Sequence, residues 1–254
     1  HSTSRRQRQM CIRDSHKGQK LGEIWGYVTD GYILDDFEAK RMNHIQKFIN
    51  GTWYPGDIRY KDLNGDGIID LGSNTLSDPG DRTVIGNTTP RYRFNLQGGI
   101  GWHGFEVRAI FEGVAKRDLW TGSDTFWGFS RGIYNSNVFQ YHIDNTWTYE
   151  NPTAYYPRPS ANGNSKNKQI QTKYLQNAAY IRLKDITISY NLPQKWLSRI
   201  GLQQARIYVN GMNLWEKTAL PPFMMPDIVD QMTSTENING ANLGKQSVSY
   251  THLR

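Results

Sequence analysis

Residues Tyr92–Glu112 read YRFNLQGGIGWHGFEVRAIFE, and the alternation within them decides the fold. Phe94, Leu96, Ile100 and Trp102 fall on one side of an extended chain, and Arg93, Asn95, Gln97, Gly99 and Gly101 fall on the other. Past His103-Gly104, Phe105, Val107, Ala109 and Phe111 alternate with Glu106, Arg108 and Glu112. Period-two patterning predicts two antiparallel strands sharing one apolar face and joined by a tight turn. Each strand runs to about ten residues, against about five or six in a globular sheet; about ten residues cross a bilayer when tilted. Trp102 and Phe105 flank the turn, where a membrane barrel carries an aromatic girdle.

The same texture returns later. In Ala179–Leu192, Ile186, Ile188, Tyr190 and Leu192 oppose Thr187, Ser189 and Asn191. Before Asp185 the phase slips, with Ile181 and Leu183 on the other parity, which predicts a bulge or a strand leaving the membrane. Pro193 ends this strand, and 194–200 make a short turn. In Gln204–Leu214, Ile207 and Val209 then oppose Arg206, Tyr208 and Asn210. The prediction is an all-β chain, a partial antiparallel transmembrane β-barrel with long external loops and one short helix. That helix is expected over Asp35–Ile49, where Phe37, Met42, Ile45, Phe48 and Ile49 recur at helical steps behind two capping aspartates. Leu21–Leu34 reads as a strand kinked at Gly31, and Trp120–Lys173 as a long polar, aromatic-rich external loop.

Composition agrees. Aromatics make up 13% of the 254 residues while mean hydropathy is only −0.70, and no apolar run approaches the ~18 residues of a membrane helix. The formal charge of +7 is uneven: His1–Ser15 alone carries four Arg and one Asp. The remainder is too thinly basic for a phosphate-binding footprint, so no nucleic-acid partner is expected. RRQRQMCIRDS and the closing VSYTHLR resemble translated adapter sequence, and the basic arm lacks the apolar core of a signal peptide. Residues 1–15 and 248–254 are therefore expected to be foreign to the fold, and 16–247 to form part of a barrel. Cys11, the only cysteine, lies in that arm and leaves the body without thiol chemistry.

One loop carries a metal-like pattern. In DLNGDGIID, Asp62, Asn64 and Asp66 alternate ahead of Gly67, with Asp70 behind, as in the first half of a calcium loop. The twelfth position, which needs a bidentate Glu, is Ser73, so Asp78 or Asp81 would have to complete a Ca²⁺ site. The competing reading is a rigid loop of Asx turns without metal. No nucleophile elbow, zinc-protease helix or phosphate loop is present, no paired carboxylates sit where a hydrolase would need them, and no enzyme is expected. His103 and His142 read as turn or surface histidines. Trp120, Trp127, Tyr134 and Trp147 are candidate ligand contacts, able to stack on sugar rings; the alternative is that these rings fold the loop onto itself or belt the membrane surface.

Several motifs in order carry a family resemblance. GEIWGYVTDGYI, GDIRYKDLNGDGIID, DPGDRTVIGNTTPRYRFNL, YLQNAAYIRLKDITISYNLP and ARIYVNGMNLW together resemble the C-terminal barrel region of SusC/RagA-type TonB-dependent transporters, over Gly22 to about Gln246. The resemblance implies an outer-membrane barrel of about 22 strands that imports glycan oligosaccharides or peptides. It implies a SusD-like surface lipoprotein as lid, outer-membrane lipid around the wall, and the TonB complex acting through an N-terminal part that this sequence lacks. The plug, the earlier strands and an aromatic-ended closing strand are also missing, so the chain alone is expected neither to close a barrel nor to transport. The rival architecture is a secreted β-sandwich that binds Ca²⁺ and carbohydrate.

Overall fold

The computed structural model describes residues 19–49, 51–129, 138–160, 165–226 and 252–253. The termini expected to be foreign fall outside this range, apart from the two-residue strand β11 (His252–Leu253). The chain divides into two compact units, one built mainly from the stretches before residue 90 and from 118 to 176, the other from 90 to 117 and from 177 to 228.

The second unit is the predicted sheet. Strands β5 (Arg91–Trp102) and β6 (Phe105–Lys116) form a hairpin closed at Trp102 opposite Phe105. His103 (φ 46°) and Gly104 (φ 89°) supply the left-handed turn that matches strand twist. Strand β9 (Tyr180–Asn191) pairs with β6, and β10 (Arg206–Thr218) pairs with β9, giving the order β11-β10-β9-β6-β5, antiparallel throughout. Twelve residues at about 3.4 Å rise make about 40 Å, and a tilt of about 45° turns that into the thickness of a hydrocarbon core. The phase slip is a bulge: Asp185 faces Ile110 and Leu183 faces Phe111, so Lys184 is the inserted residue. β10 continues past the expected Leu214, with Trp215 carrying the apolar parity onward opposite Leu183 and Lys217 standing opposite Ile181. At Gly113 a Cβ would stand 2.5 Å from the Phe94 ring, so only glycine lets that ring lie across β6.

The first unit starts as β1 (Glu23–Tyr27) and β2 (Thr29–Tyr32), split at Val28 where one kinked strand was predicted. β1 pairs with β4 (Arg82–Asn87) and β2 with β3 (Ile58–Tyr60), and the two-residue strands β7 (Asp118–Leu119) and β8 (Gln176–Asn177) pair with each other. Helix α1 (Asp36–Ile45) begins where predicted, with Asp35 accepting the Glu38 amide at 2.7 Å. It stops earlier than Ile49 because Gln46 turns inward: its side chain donates to the Ile58 carbonyl and accepts from the Tyr60 amide. Phe48 then packs between Tyr27, Trp53 and Tyr60. At Gly26 a Cβ would meet the Ile170 carbonyl at 2.6 Å, which allows residues 170–172 to bond alongside β1.

Two findings correct the sequence reading of this unit. Among the described residues three further short α-helices accompany the expected one: α2 (Asp124–Trp127), α3 (Gln140–Asp144) and α4 (Gln194–Leu197). And the described parts of 120–173, expected to be a long polar external loop, pack around a hydrophobic core of their own. Phe126, Trp127, Tyr155, Tyr156 and Tyr174 pack ring against ring at centroid separations of 4.6–6.5 Å. His142 belongs to this core, fully buried, and not to the surface. Its Nδ1 accepts the Phe139 amide at 3.2 Å and its Nε2 lies 3.1 Å from the Phe126 carbonyl. That pairing fixes the neutral Nε2–H tautomer, and burial pushes its pKa below 6.5.

A proton on Nδ1 would confront the Phe139 amide. Because the unfolded chain takes up that proton near 6.5 and the folded chain resists it, stability is lost as pH falls below that value. Hydrogen exchange of residues 138–147, corrected for intrinsic rates, is expected to show easier opening at pH 5.5 than at 7.5, with the difference removed by His142→Gln. Equal protection at both pH values in the unsubstituted chain would contradict this assignment.

Candidate functional site

The five-stranded sheet carries two chemically distinct faces, and the register shows how each is assembled. One face holds the cross-strand rows Trp102–Phe105–Tyr190–Ile207, Ile100–Val107–Ile188–Val209 and Leu96–Phe111–Leu183–Trp215. Its residues are open to the surroundings, with Ile100 and Trp102 each 73% exposed and Ile207 59%. Apolar area of this extent on a protein surface marks an interface with another apolar phase or partner.

The opposite face is polar and internally bonded. Glu106 is met by Arg108 at 2.7 Å and by Arg206 at 3.2 Å, and Arg206 also donates to Ser189 Oγ at 2.8 Å. Asn210 Nδ2 donates to Asp185 Oδ2 at 2.6 Å and Thr187 Oγ1 at 2.8 Å. Glu112 accepts from Arg182 Nε at 2.6 Å and from Lys184 Nζ at 2.5 Å. The bulge makes the last pairing possible: an extra residue between Leu183 and Asp185 lets Lys184 share a carboxylate with Arg182. Sequence reading took the phase slip at this point as a feature of the backbone alone; the two cations on either side of Leu183 were the signal for the cluster.

The DLNGDGIID loop is ordered by its own side chains. Asp62 accepts the Gly65 amide at 2.6 Å and the Gly67 amide at 2.8 Å, with both glycines at positive φ (79° and 83°). Asn64 Oδ1 accepts the Asp66 amide, and its Nδ2 faces Asp66 Oδ2 at 2.9 Å. Asp66 accepts from Ile68 and Asp70 from Gly72. Asp81, fully buried, closes the base by taking the Leu63 and Asp70 amides, while Asp78 takes the amide and hydroxyl of Ser73, which hold its carboxyl below the usual range. The carboxylates thus answer backbone N–H groups. Among the described residues no three His, Cys, Asp or Glu side chains are grouped to hold a metal ion.

Of the ring candidates, Trp120, Trp127 and Trp147 are interior, at 8%, 3% and 3% exposure; Tyr134 lies outside the described residues. Trp127 packs on Trp120 and Tyr174, and its Nε1 donates to the Thr121 carbonyl at 2.9 Å. Trp147 packs against Tyr149. These three rings serve the protein's own core and are not placed as ligand platforms. The same region contains Lys173, whose Nζ lies 3.9 Å from the Tyr32 ring centroid and whose pKa burial pushes down to about 8. The ring contact favours the charged form, so the two influences oppose each other.

Comparison with known proteins agrees with the sheet. No family model matches the sequence. TonB-dependent receptor P3 of Formosa agariphila is 26% identical over 238 residues, covering 94% of this chain and 22% of the receptor. TonB-dependent receptor P26 of the same bacterium is 28% identical over 160 residues, 63% of this chain and 15% of that one. Among solved structures, the RagAB peptide transporter superposes with a TM-score of 0.54 at 18% identity, over 87% of this chain and 20% of the matched one. The RagAB peptide importer in its open-open state gives 0.52. The resemblance to SusC/RagA-type TonB-dependent receptors is thereby borne out, and the fold is that of a partial β-barrel, its sheet unclosed among the described residues. The chain spans about a fifth of the length of these relatives, 22% of the first receptor and 20% of the RagAB chain.

The loop geometry makes a definite expectation about metal. Millimolar Ca²⁺ is expected to leave amide exchange at 62–72 unchanged, while Asp62→Ala accelerates exchange at Gly65 and Gly67 by removing their acceptors. Protection that rises with Ca²⁺ would mean that the loop rearranges around an ion.

Proposed function

We propose that this chain is a stretch of wall from a TonB-dependent outer-membrane importer of oligomeric nutrients, glycan oligosaccharides or peptides, and that it acts as scaffold and not as an enzyme. The observation that carries this reading is the two-faced sheet. Four long strands place their apolar rows on one exposed side and their ion pairs on the other. Lipid is the solvent that such an apolar side requires, because within a bilayer every backbone N–H and C=O must be satisfied in the sheet itself. The polar side then lines the lumen. The peptide-transporting RagAB relative supports the importer class, and its two-component name supports a surface lipoprotein of the SusD kind as partner. The TonB complex would act on a whole receptor of the relatives' length, of which this chain spans about a fifth. A secreted β-sandwich accounts less well for the sheet, since a sandwich buries its apolar faces against each other.

In membranes from cells making the whole transporter, the protein is expected in the outer-membrane fraction as a heat-modifiable band. Ile186→Lys, on the apolar face near mid-strand, is expected to cost roughly 2–4 kcal/mol of barrel stability, against little for Thr187→Lys on the polar face. A soluble, detergent-independent protein, or equal tolerance of both substitutions, would overturn the reading.

A further inference from the structure

The apolar face of the sheet runs on into the connection beyond it. Its endmost row, Trp102–Phe105–Tyr190–Ile207, stands beside the His103–Gly104 turn, and the Phe105 and Tyr190 rings pack there at 4.4 Å. One rung further, the Leu192 amide donates to the Ala205 carbonyl at 3.0 Å, and both residues keep the parity of Tyr190 and Ile207. Between them the chain coils into a compact knob. Helix α4 passes into a 3-10 turn over Ser198–Ile200, Gly201 ends it at φ 71°, and the Leu202 amide donates back to the Leu197 carbonyl at 3.1 Å. Leu197 turns inward at 2% exposure. Trp196 and Ile200, one helical turn apart, stand outward at 60% and 68%. Lys195 and Arg199, likewise one turn apart, are exposed alongside them, and no Asp or Glu occurs from 192 to 205.

We propose that residues 194–202 are a headgroup-level lipid anchor. Trp196 and Ile200 enter the boundary between headgroups and acyl chains, while Lys195 and Arg199 hold the phosphates of anionic phospholipid. The inference rests on the reading of the sheet's apolar face as lipid-facing. Given that face, the Leu192–Ala205 rung carries the knob to the level where hydrocarbon gives way to headgroups. An indole at that level buries its apolar body and leaves its N–H among polar groups. Trp on one side of a helical segment and cations on the other is the make-up of an interfacial helix. With two cations and no carboxylate, the segment complements an anionic surface. The leaflet follows from the connections. This end of the sheet carries the His103–Gly104 turn and the 192–205 link, whereas the chain from β6 to β9 leaves the other end and runs through 117–179. Short turns of an outer-membrane barrel face the periplasm, so the anchor meets the inner leaflet, which is phospholipid.

The test uses a cysteine-free form of the whole transporter in vesicles made from equal parts of phosphatidylethanolamine and phosphatidylglycerol. Gln203→Cys carries a fluorophore beside the anchor, and Ala109→Cys carries the same fluorophore on the apolar face near mid-strand. Nitroxide lipids quench either from close to the glycerol or from near the chain end. The shallow nitroxide is expected to quench position 203 more strongly than the deep one, with the order reversed at 109. Carried on phosphatidylglycerol, the shallow nitroxide should act at 203 with an apparent affinity about fivefold above that on phosphatidylethanolamine. Lys195→Gln with Arg199→Gln should bring that ratio to near one, and Trp196→Ser with Ile200→Ser should weaken quenching at 203 alone. Should a double variant fail to assemble, the unsubstituted anchor still decides through its depth profile and lipid preference. Equal quenching by the two lipids, or a preference that survives loss of both cations, would overturn the inference. So would a position 203 open to water and untouched by either nitroxide, as when a protein partner or solvent covers the knob. Position 109 separates the two levels: quenching at 109 without quenching at 203 sinks only the anchor, whereas no quenching at either position sinks the membrane-wall reading itself.

Discussion

The backbone of a membrane wall has to satisfy its own hydrogen bonds, and the rest of this sheet depends on that requirement. An unpaired amide costs several kcal/mol in hydrocarbon, so β5, β6, β9 and β10 stay paired antiparallel over ten or more residues, with bulges between Leu183 and Asp185 of β9 and between Met212 and Trp215 of β10. Once that register is set, the pleat allots each side chain to one face. Apolar rows then gather on one side and the Glu106, Asp185 and Glu112 clusters on the other. The bulge at Lys184 is tolerated within this scheme because it inserts one residue without breaking pairing on either flank, and it adds a second cation to Glu112.

The first unit solves a different problem. Its segments are short and irregular, and side chains take over the work that ladders do in the sheet. Asp57, buried, accepts from the Tyr54 amide, from Asn167 Nδ2 at 2.8 Å and from Lys166. Asn167 in turn accepts the Ile58 amide at 2.9 Å, and Gln171 joins Tyr60, Thr29 and the Asn167 carbonyl. These bonds tie residues more than one hundred positions apart. Removing the Asp57 carboxylate would take the ion-pair partner from Lys166 and one hydrogen bond from Asn167.

How much of this was legible in the sequence follows from the range of the interactions. The hairpin Phe94–Phe111, its turn and the bulge before Asp185 were readable because strand periodicity is a local signal. So was the Asp35 cap of α1. The end of α1 was not, since Gln46 leaves the helix to bond with β3, and nothing near it in sequence announces that. The core built from Phe126, His142, Tyr156 and Tyr174 was equally hidden: the rings are spaced irregularly and meet only through tertiary packing. Buried aromatics and ligand-stacking aromatics look alike in a sequence, which is why Trp120, Trp127 and Trp147 read as ligand contacts. In the DLNGDGIID loop the oxygen spacing was legible but its use was not, because an Asx turn and an ion site call for the same residue types.

The most direct test of the two-faced wall is accessibility along one strand in the native membrane. Cys11 is the only cysteine of the sequence, so single cysteines at 106, 107, 108 and 109, placed in an otherwise cysteine-free form of the whole protein, can each carry a nitroxide. Collision with oxygen, which concentrates in lipid, is predicted to peak at 107 and 109. Collision with a water-soluble nickel chelate is predicted to peak at 106 and 108. Uniform access to the nickel chelate at all four positions, with no period of two, would contradict the assignment of this sheet to a membrane wall.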